Sequence, residues 1–289
     1  MAIAKDGMRQ ILWGLFKKVV IADGAASTVD LVFGQYDQLP ASTIVIGVVF
    51  FAFQIYGDFS GYSDIAIGVA KLFGFKLMKN FSYPYFSRDI AEFWRRWHIS
   101  LSSWFRDYLY IPLGGSKVNT GKKIRNIFVI FIVSGFWHGA NWTFIVWGAL
   151  NALFFLPLLL TKRNRKNTNI VAENSFLPSI KEILQIIITF SLTCFAWIFF
   201  RADNVTEALI IIKNIFNTTI FSKPVNIGSQ FYKLLILFVI IEWIQRKKEH
   251  GLDIGNIKIP VIRWGLYFGI SFFLFYFFNY QQSFIYFQF

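Results

Sequence analysis

The chain has 289 residues, 55% of them hydrophobic and 20% aromatic, while only 16% are charged and these sum to +13. Such an apolar, aromatic-rich composition with a strong Lys/Arg excess excludes an ordinary soluble domain and describes a polytopic membrane protein with basic cytoplasmic loops. The basic residues lie between apolar runs rather than on a polar domain, which argues against a nucleic-acid partner, and the lone Cys194 excludes an intrachain disulfide.

In chain order, residues 1–6 lead directly into ILWGLFKKVVIAD with no signal peptide, and the paired Lys17 and Lys18 suit an interfacial helix. An apolar stretch at 42–75 follows, interrupted by FQIYGDFSGYSDIAIG at 53–68. Two readings stay open for that motif. Asp58 and Asp64 are functional groups facing a wet interior, or the segment is an extramembrane loop between two short helices, with Gly57 and Gly61 as loop residues.

Residues 87–115, SRDIAEFWRRWHISLSSWFRDYLYIPLGG, place Phe93, Trp94, Trp97, Leu101, Trp104, Phe105 and Tyr108 at spacings of three and four behind Ser87 and Asp89 as caps. With Arg95, Arg96 and Arg106 interleaved, this predicts an amphipathic helix lying at headgroup level and ending at IPLGG. His98 on such a helix is an interfacial histidine bonded to a neighbour unless something further gives it a role.

Membrane stretches at 127–160, 183–200, 231–244 and 260–280 complete the chain. Ten basic residues between Lys76 and Arg125, the run KRNRK at 162–166 and RKK at 246–248 are all expected on the cytoplasmic side. The stretch 127–160 then begins and ends on one side. As a single helix it would reach ~51 Å, too long for one span and too short for two. A break at SGFWHGANW, 134–142, resolves this: 126–160 is a re-entrant hairpin with His138 at its turning point, since bent backbone is tolerated at membrane depth only inside protein or along a cavity. The resulting fold class is an all-α polytopic membrane protein with broken segments and interfacial helices, one membrane domain over 1–289, with 76–125 cytoplasmic or interfacial.

The chemistry narrows by elimination. The chain has three histidines, without HxxxH or CxxC spacing, so no metal site is expected, and nucleophile-elbow, Walker and dinucleotide glycine patterns are missing. What remains is an imidazole near the midplane, suited to act as a general base on an acceptor hydroxyl. Trp137 would pack one face of His138, Ser134 precedes it by four residues, and Asn141 either orients the ring or donates to an oxyanion, or else solvates the broken backbone. Burial is expected to keep the ring neutral. His250, after RKKE, reads as a solvated loop residue.

Together with NFSYPYF before the aromatic helix and FIYFQF at the chain end, these motifs resemble the membrane-bound O-acyltransferases, and most of all their bacterial alginate O-acetyltransferase-like branch, which is related to the D-alanyl transferases of teichoic acid. The resemblance covers almost the whole chain. It implies a funnel-shaped enzyme of the cell membrane that takes an acyl, typically acetyl, group from a cytoplasmic thioester (acetyl-CoA or an acyl carrier) with no bound cofactor. The acceptor is an extracytoplasmic polysaccharide or a relay acetyltransferase partner protein. It implies that His138 is the essential histidine and that His98 lines the same tunnel; Asn141, Trp137, Ser134 and Asp58 complete the candidate substrate-binding set. It also implies further spans N-terminal to this segment in family members. A transporter with broken helices and a non-catalytic scaffold are the competing readings, although no internal repeat supports the first.

Overall fold

The computed structural model describes residues 2–226 and 229–278. Eleven α-helices and no strand are present among them. Among the described residues, four helices are long and apolar enough to cross a bilayer: Ala41–Leu72, Trp142–Leu160, Ile180–Arg201 and Pro260–Phe277. The all-α membrane architecture expected from composition is therefore the one adopted; the last residues of the 260–280 stretch and the motif FIYFQF lie outside the described residues. The helices gather into two compact units. One holds the described residues of Met1–Leu31, Val49–Lys79 and Asn226–Phe289, the other Val32–Val48 and Asn80–Val225.

In the first unit α1 (Ala2–Leu15) runs through a π-helical turn, Phe16–Ala22, into α2 (Asp23–Gly34). Here the structure corrects three expectations. The stretch 42–75 is not interrupted: α3 (Ala41–Leu72) is one helix of 32 residues straight through FQIYGDFSGYSDIAIG. Its glycines serve close packing, not a loop. A Cβ added at Gly61 would lie 2.7 Å from the Gly14 carbonyl oxygen and one at Gly14 would lie 2.6 Å from that of Gly61; Gly7 and Gly68 repeat the pair at 2.7 and 2.6 Å. Small residues seven apart on both helices thus let the backbones touch, the usual device of helices in lipid.

Nor do Lys17 and Lys18 lie at an interface. Lys17 is buried, its Nζ 2.6 Å from Asp64 and 2.9 Å from the Ser60 hydroxyl, while Lys18 reaches Asp58 at 2.7 Å and Asp23 at 2.8 Å. These ion pairs explain how α3 keeps two acids in its interior without breaking, because a buried charge persists only when paired. In the same unit are α10 (Ser229–Gln245), whose Glu242 accepts a 2.7 Å bond from Tyr56, and α11 (Pro260–Phe277). His250, expected in solvent, is buried with its Nε2 3.1 Å from Asp6.

The second unit carries α4 (Ile90–Arg96), α5 (Ile99–Phe105), α6 (Thr120–His138), α7 (Trp142–Leu160), α8 (Ile180–Arg201) and α9 (Val205–Ile215). The segment 87–115 is not the single amphipathic helix expected. Asp89 does cap α4, accepting from the Glu92 N–H at 2.7 Å, but the helix stops at Trp97 and restarts at Ile99, and a π-helical turn at Arg106–Tyr110 follows. Arg96, expected at headgroup level, instead turns to a buried carboxylate. Arg96 and Arg88 both bond Glu92, at 2.8 and 3.0 Å, around a carboxylate that is 1% exposed. Further along, α6 and α7 pack closely antiparallel, because Gly135 faces the Phe144 carbonyl and Gly148 that of Phe131, positions where any Cβ would collide. Residues 139–141 join them, with Asn141 capping α7.

Candidate active site

The break between α4 and α5 places His98. Its backbone takes φ 44° and ψ 57°, left-handed values that cost a non-glycine residue about 1–3 kcal/mol and persist only where surroundings enforce them. The ring repays part of this locally: Nδ1 accepts from the Leu101 N–H at 3.4 Å and lies 3.4 Å from the Ser100 hydroxyl, capping α5. Accepting at Nδ1 puts the proton of the neutral ring on Nε2, so His98 presents a donor there. Burial lowers the His98 pKa from 6.5 to about 4, so the ring is neutral at physiological pH.

His138 ends α6 and sits in a box of aromatic rings. Trp137 and Phe200 have centroids 5.0 Å away, Trp147 5.2 Å and Phe144 6.3 Å; the Trp137 ring is also 6.3 Å from His98. Edge-on aromatic walls hold an imidazole in place while offering it no acid.

Both histidines line one cavity of about 250 Å³. Along α6 it is lined by Ile127, Phe131, Ser134 and His138, one stripe at spacings of four, three and four, which at 1.5 Å per residue is ~16 Å of helix. Arg106, Tyr110, Asn164 and Arg165 also line it. Because α7 runs antiparallel to α6 and ends just before Asn164 and Arg165, those two residues stand at the Ile127 end and His138 at the other. The chamber is thus basic at one end, aromatic along its walls and closed on two imidazoles.

Of the residues singled out in the sequence, His98, Ser134 and His138 come together in this cavity. Trp137 does not line it; its ring packs against both histidines and is 53% exposed. Asn141 is not directed at the imidazole. Its Oδ1 accepts from the Thr143 N–H at 3.1 Å and its Nδ2 donates to the Asp203 carbonyl at 2.8 Å, so it secures the broken backbone. Asp58 belongs to the other unit and is held by Lys18. Phe200 and Trp147, which box His138, carry no local signal, since only tertiary packing brings α8 and the middle of α7 to the end of α6. Ile127 and Phe131, which continue the stripe from His138 along α6, were not singled out either, because in a uniformly apolar run spacing does not mark the face that lines a cavity. No group of three or more potential metal ligands occurs among the described residues.

Comparison with known proteins defines the class of the chain. The model of the membrane-bound O-acyltransferase family matches residues 8–202. The chain is 36% identical to the peptidoglycan O-acetyltransferase of Helicobacter pylori over 96% of its own length and 55% of that protein's. It is 41% identical to the probable alginate O-acetylase AlgI of Pseudomonas aeruginosa over 70% of this chain and 37% of that one, and 35% identical to the teichoic acid D-alanyltransferase of Streptococcus thermophilus over 54% and 40%. The chain belongs to the membrane-bound O-acyltransferase family. It spans about half the length, or less, of these relatives.

Proposed function

We propose that this chain is the catalytic part of a multi-pass enzyme of the cell membrane that moves an acetyl-type group from a cytoplasmic thioester to a hydroxyl of an extracytoplasmic polysaccharide, or to a relay partner protein that acylates it. The observation that carries this reading is the meeting of His98 and His138 in one aromatic-walled cavity that is basic at its far end. Relatives named for peptidoglycan and alginate O-acetylation support a sugar hydroxyl as the final acceptor.

The donor, acetyl-CoA or an acyl carrier, enters at the basic end, where Arg165 meets phosphate, while Arg106 on the cavity lining is paired with Asp107 at 2.7 Å, and the thioester reaches the histidines. The acceptor hydroxyl attacks the thioester carbonyl while His138 takes its proton. His98, through Nε2–H, donates to the carbonyl oxygen as charge collects there. The tetrahedral intermediate then collapses to the ester, and the departing thiolate takes the proton from His138. General-base assistance of this kind is worth ~10²–10⁴ in rate, and an aligned, water-poor chamber adds more by proximity.

Substitution in the complete enzyme tests the division of roles. With expression unchanged, His138→Ala should abolish polymer O-acylation in cells. His98→Gln, whose amide still donates, should retain more activity than His98→Ala. Equal loss in both His98 variants would contradict the donor role, and wild-type acylation in His138→Ala would remove the proposed base.

A further inference from the structure

A second cavity, of about 690 Å³, lies in the first unit between α1 and the start of α11. Three cations line it: Lys5 and Arg9 from α1 and Arg263 from α11, with Trp264 and Tyr267 beside them. Lys5 and Arg9 stand at i and i+4 on one helix face, where like charges repel. No carboxylate among the described residues pairs with any of the three; Asp6, next to Lys5 in sequence, is taken by Lys71 at 2.6 Å and His250 at 3.1 Å. Arg9 is oriented by its Nε, which donates to the Tyr267 hydroxyl at 2.8 Å and leaves both Nη groups as donors. Three convergent cations without a counter-charge, one of them braced, make a site for a phosphate-type anion.

What surrounds the site selects the source of that anion. Only 6% of the apolar window of α11 is buried in the protein. From the cavity outward, Trp264, Phe268, Phe272 and Phe275 form an exposed stripe at spacings of four, four and three, and Met8 and Leu12 wall the cavity from α1. A free phosphate uses none of this apolar surface, whereas a phospholipid fills the basic cavity with its headgroup and lays its acyl chains along the stripe. We propose that this cavity binds the headgroup of an anionic phospholipid. The site is separate from the acyl-transfer cavity, and the proposal does not depend on the function assigned there.

Native mass spectrometry of the complete, delipidated enzyme tests it, with phosphatidylglycerol compared with phosphatidylcholine of the same chains. The double variant Lys5→Gln/Arg263→Gln spares the Arg9–Tyr267 bond, and Lys122→Gln, an exposed lysine of the other unit, controls for lost surface charge. Phosphatidylglycerol should bind preferentially, and the double variant should weaken it ~10-fold or more, as expected for two lost cations, while Lys122→Gln leaves it unchanged. Equal binding of the two lipids, or a double variant that binds as the wild type does, would overturn the site. Displacement of the lipid by inorganic phosphate alone would overturn the lipid assignment.

Discussion

At the scale of single residues, the two histidines differ in how they are held, and this separates their chemistry. His98 is fixed by backbone strain and by its Nδ1 cap on α5, whereas His138 is boxed by the rings of Trp137, Trp147 and Phe200. A pH dependence follows for His98. Burial holds its folded pKa near 4, below the ordinary 6.5, so unfolding takes up a proton between those values. Its contribution to stability is therefore intact above about pH 6.5, is lost as pH falls, and the loss is complete near pH 4, amounting to up to about 3 kcal/mol. Burial, opposed by Asp6, also lowers the His250 pKa, which adds to the acid sensitivity in the same direction. Thermal inactivation of the enzyme in membranes should speed up between pH 7 and pH 5, and His98→Gln should flatten that dependence without abolishing it. An unchanged pH profile in the variant would mean that His98 is already protonated or solvated. Sequence alone singled out His138, because an imidazole in an apolar run is conspicuous. The tautomer of His98 could not be read from it, because that rests on a left-handed turn.

Among the elements, the difference between α3 as expected and as found turns on glycine. In FQIYGDFSGYSDIAIG the glycines and acids signal a loop when read locally, yet the partners that keep the helix whole, Gly7, Gly14, Lys17 and Lys18, lie some forty to sixty residues away in sequence. Gly61→Val should force α1 and α3 apart, costing about 1–3 kcal/mol and lowering the thermal midpoint by about 2–4 °C for each kcal/mol. Gly265→Val, where a Cβ meets nothing within 4 Å, should leave the midpoint nearly unchanged. Equal shifts in the two variants would show that helix propensity, not backbone contact, sets the effect. The break between α6 and α7, at residues 139–141, falls within SGFWHGANW, the polar, small-residue stretch where a break was expected. The break at Trp97–His98 was not expected, since the aromatic stripe continues in phase across it while the backbone does not.

On the scale of the whole molecule, the all-α membrane class followed from composition, and the family from long ordered motifs. The grouping of helices into two units had no linker or composition shift to announce it, because the first unit is assembled from three separate stretches of chain. The sidedness of the protein rests on its basic loops. Cysteines placed at Lys117 and Lys123 should resist an impermeant maleimide applied to intact cells and react once the cells are opened; ready labelling from outside would reverse the direction of transfer proposed here. The central claim, that His138 is the base of an acyl transfer, is tested most directly by following a labelled acetyl group from thioester to acceptor in membranes containing the complete enzyme, wild type against His138→Gln. Glutamine keeps much of the size and hydrogen bonding of histidine but cannot carry the proton, so the account predicts a fall of ~10²-fold or more with normal insertion. A His138→Gln enzyme retaining more than about a tenth of the wild-type rate, short of what losing a general base costs, would contradict it.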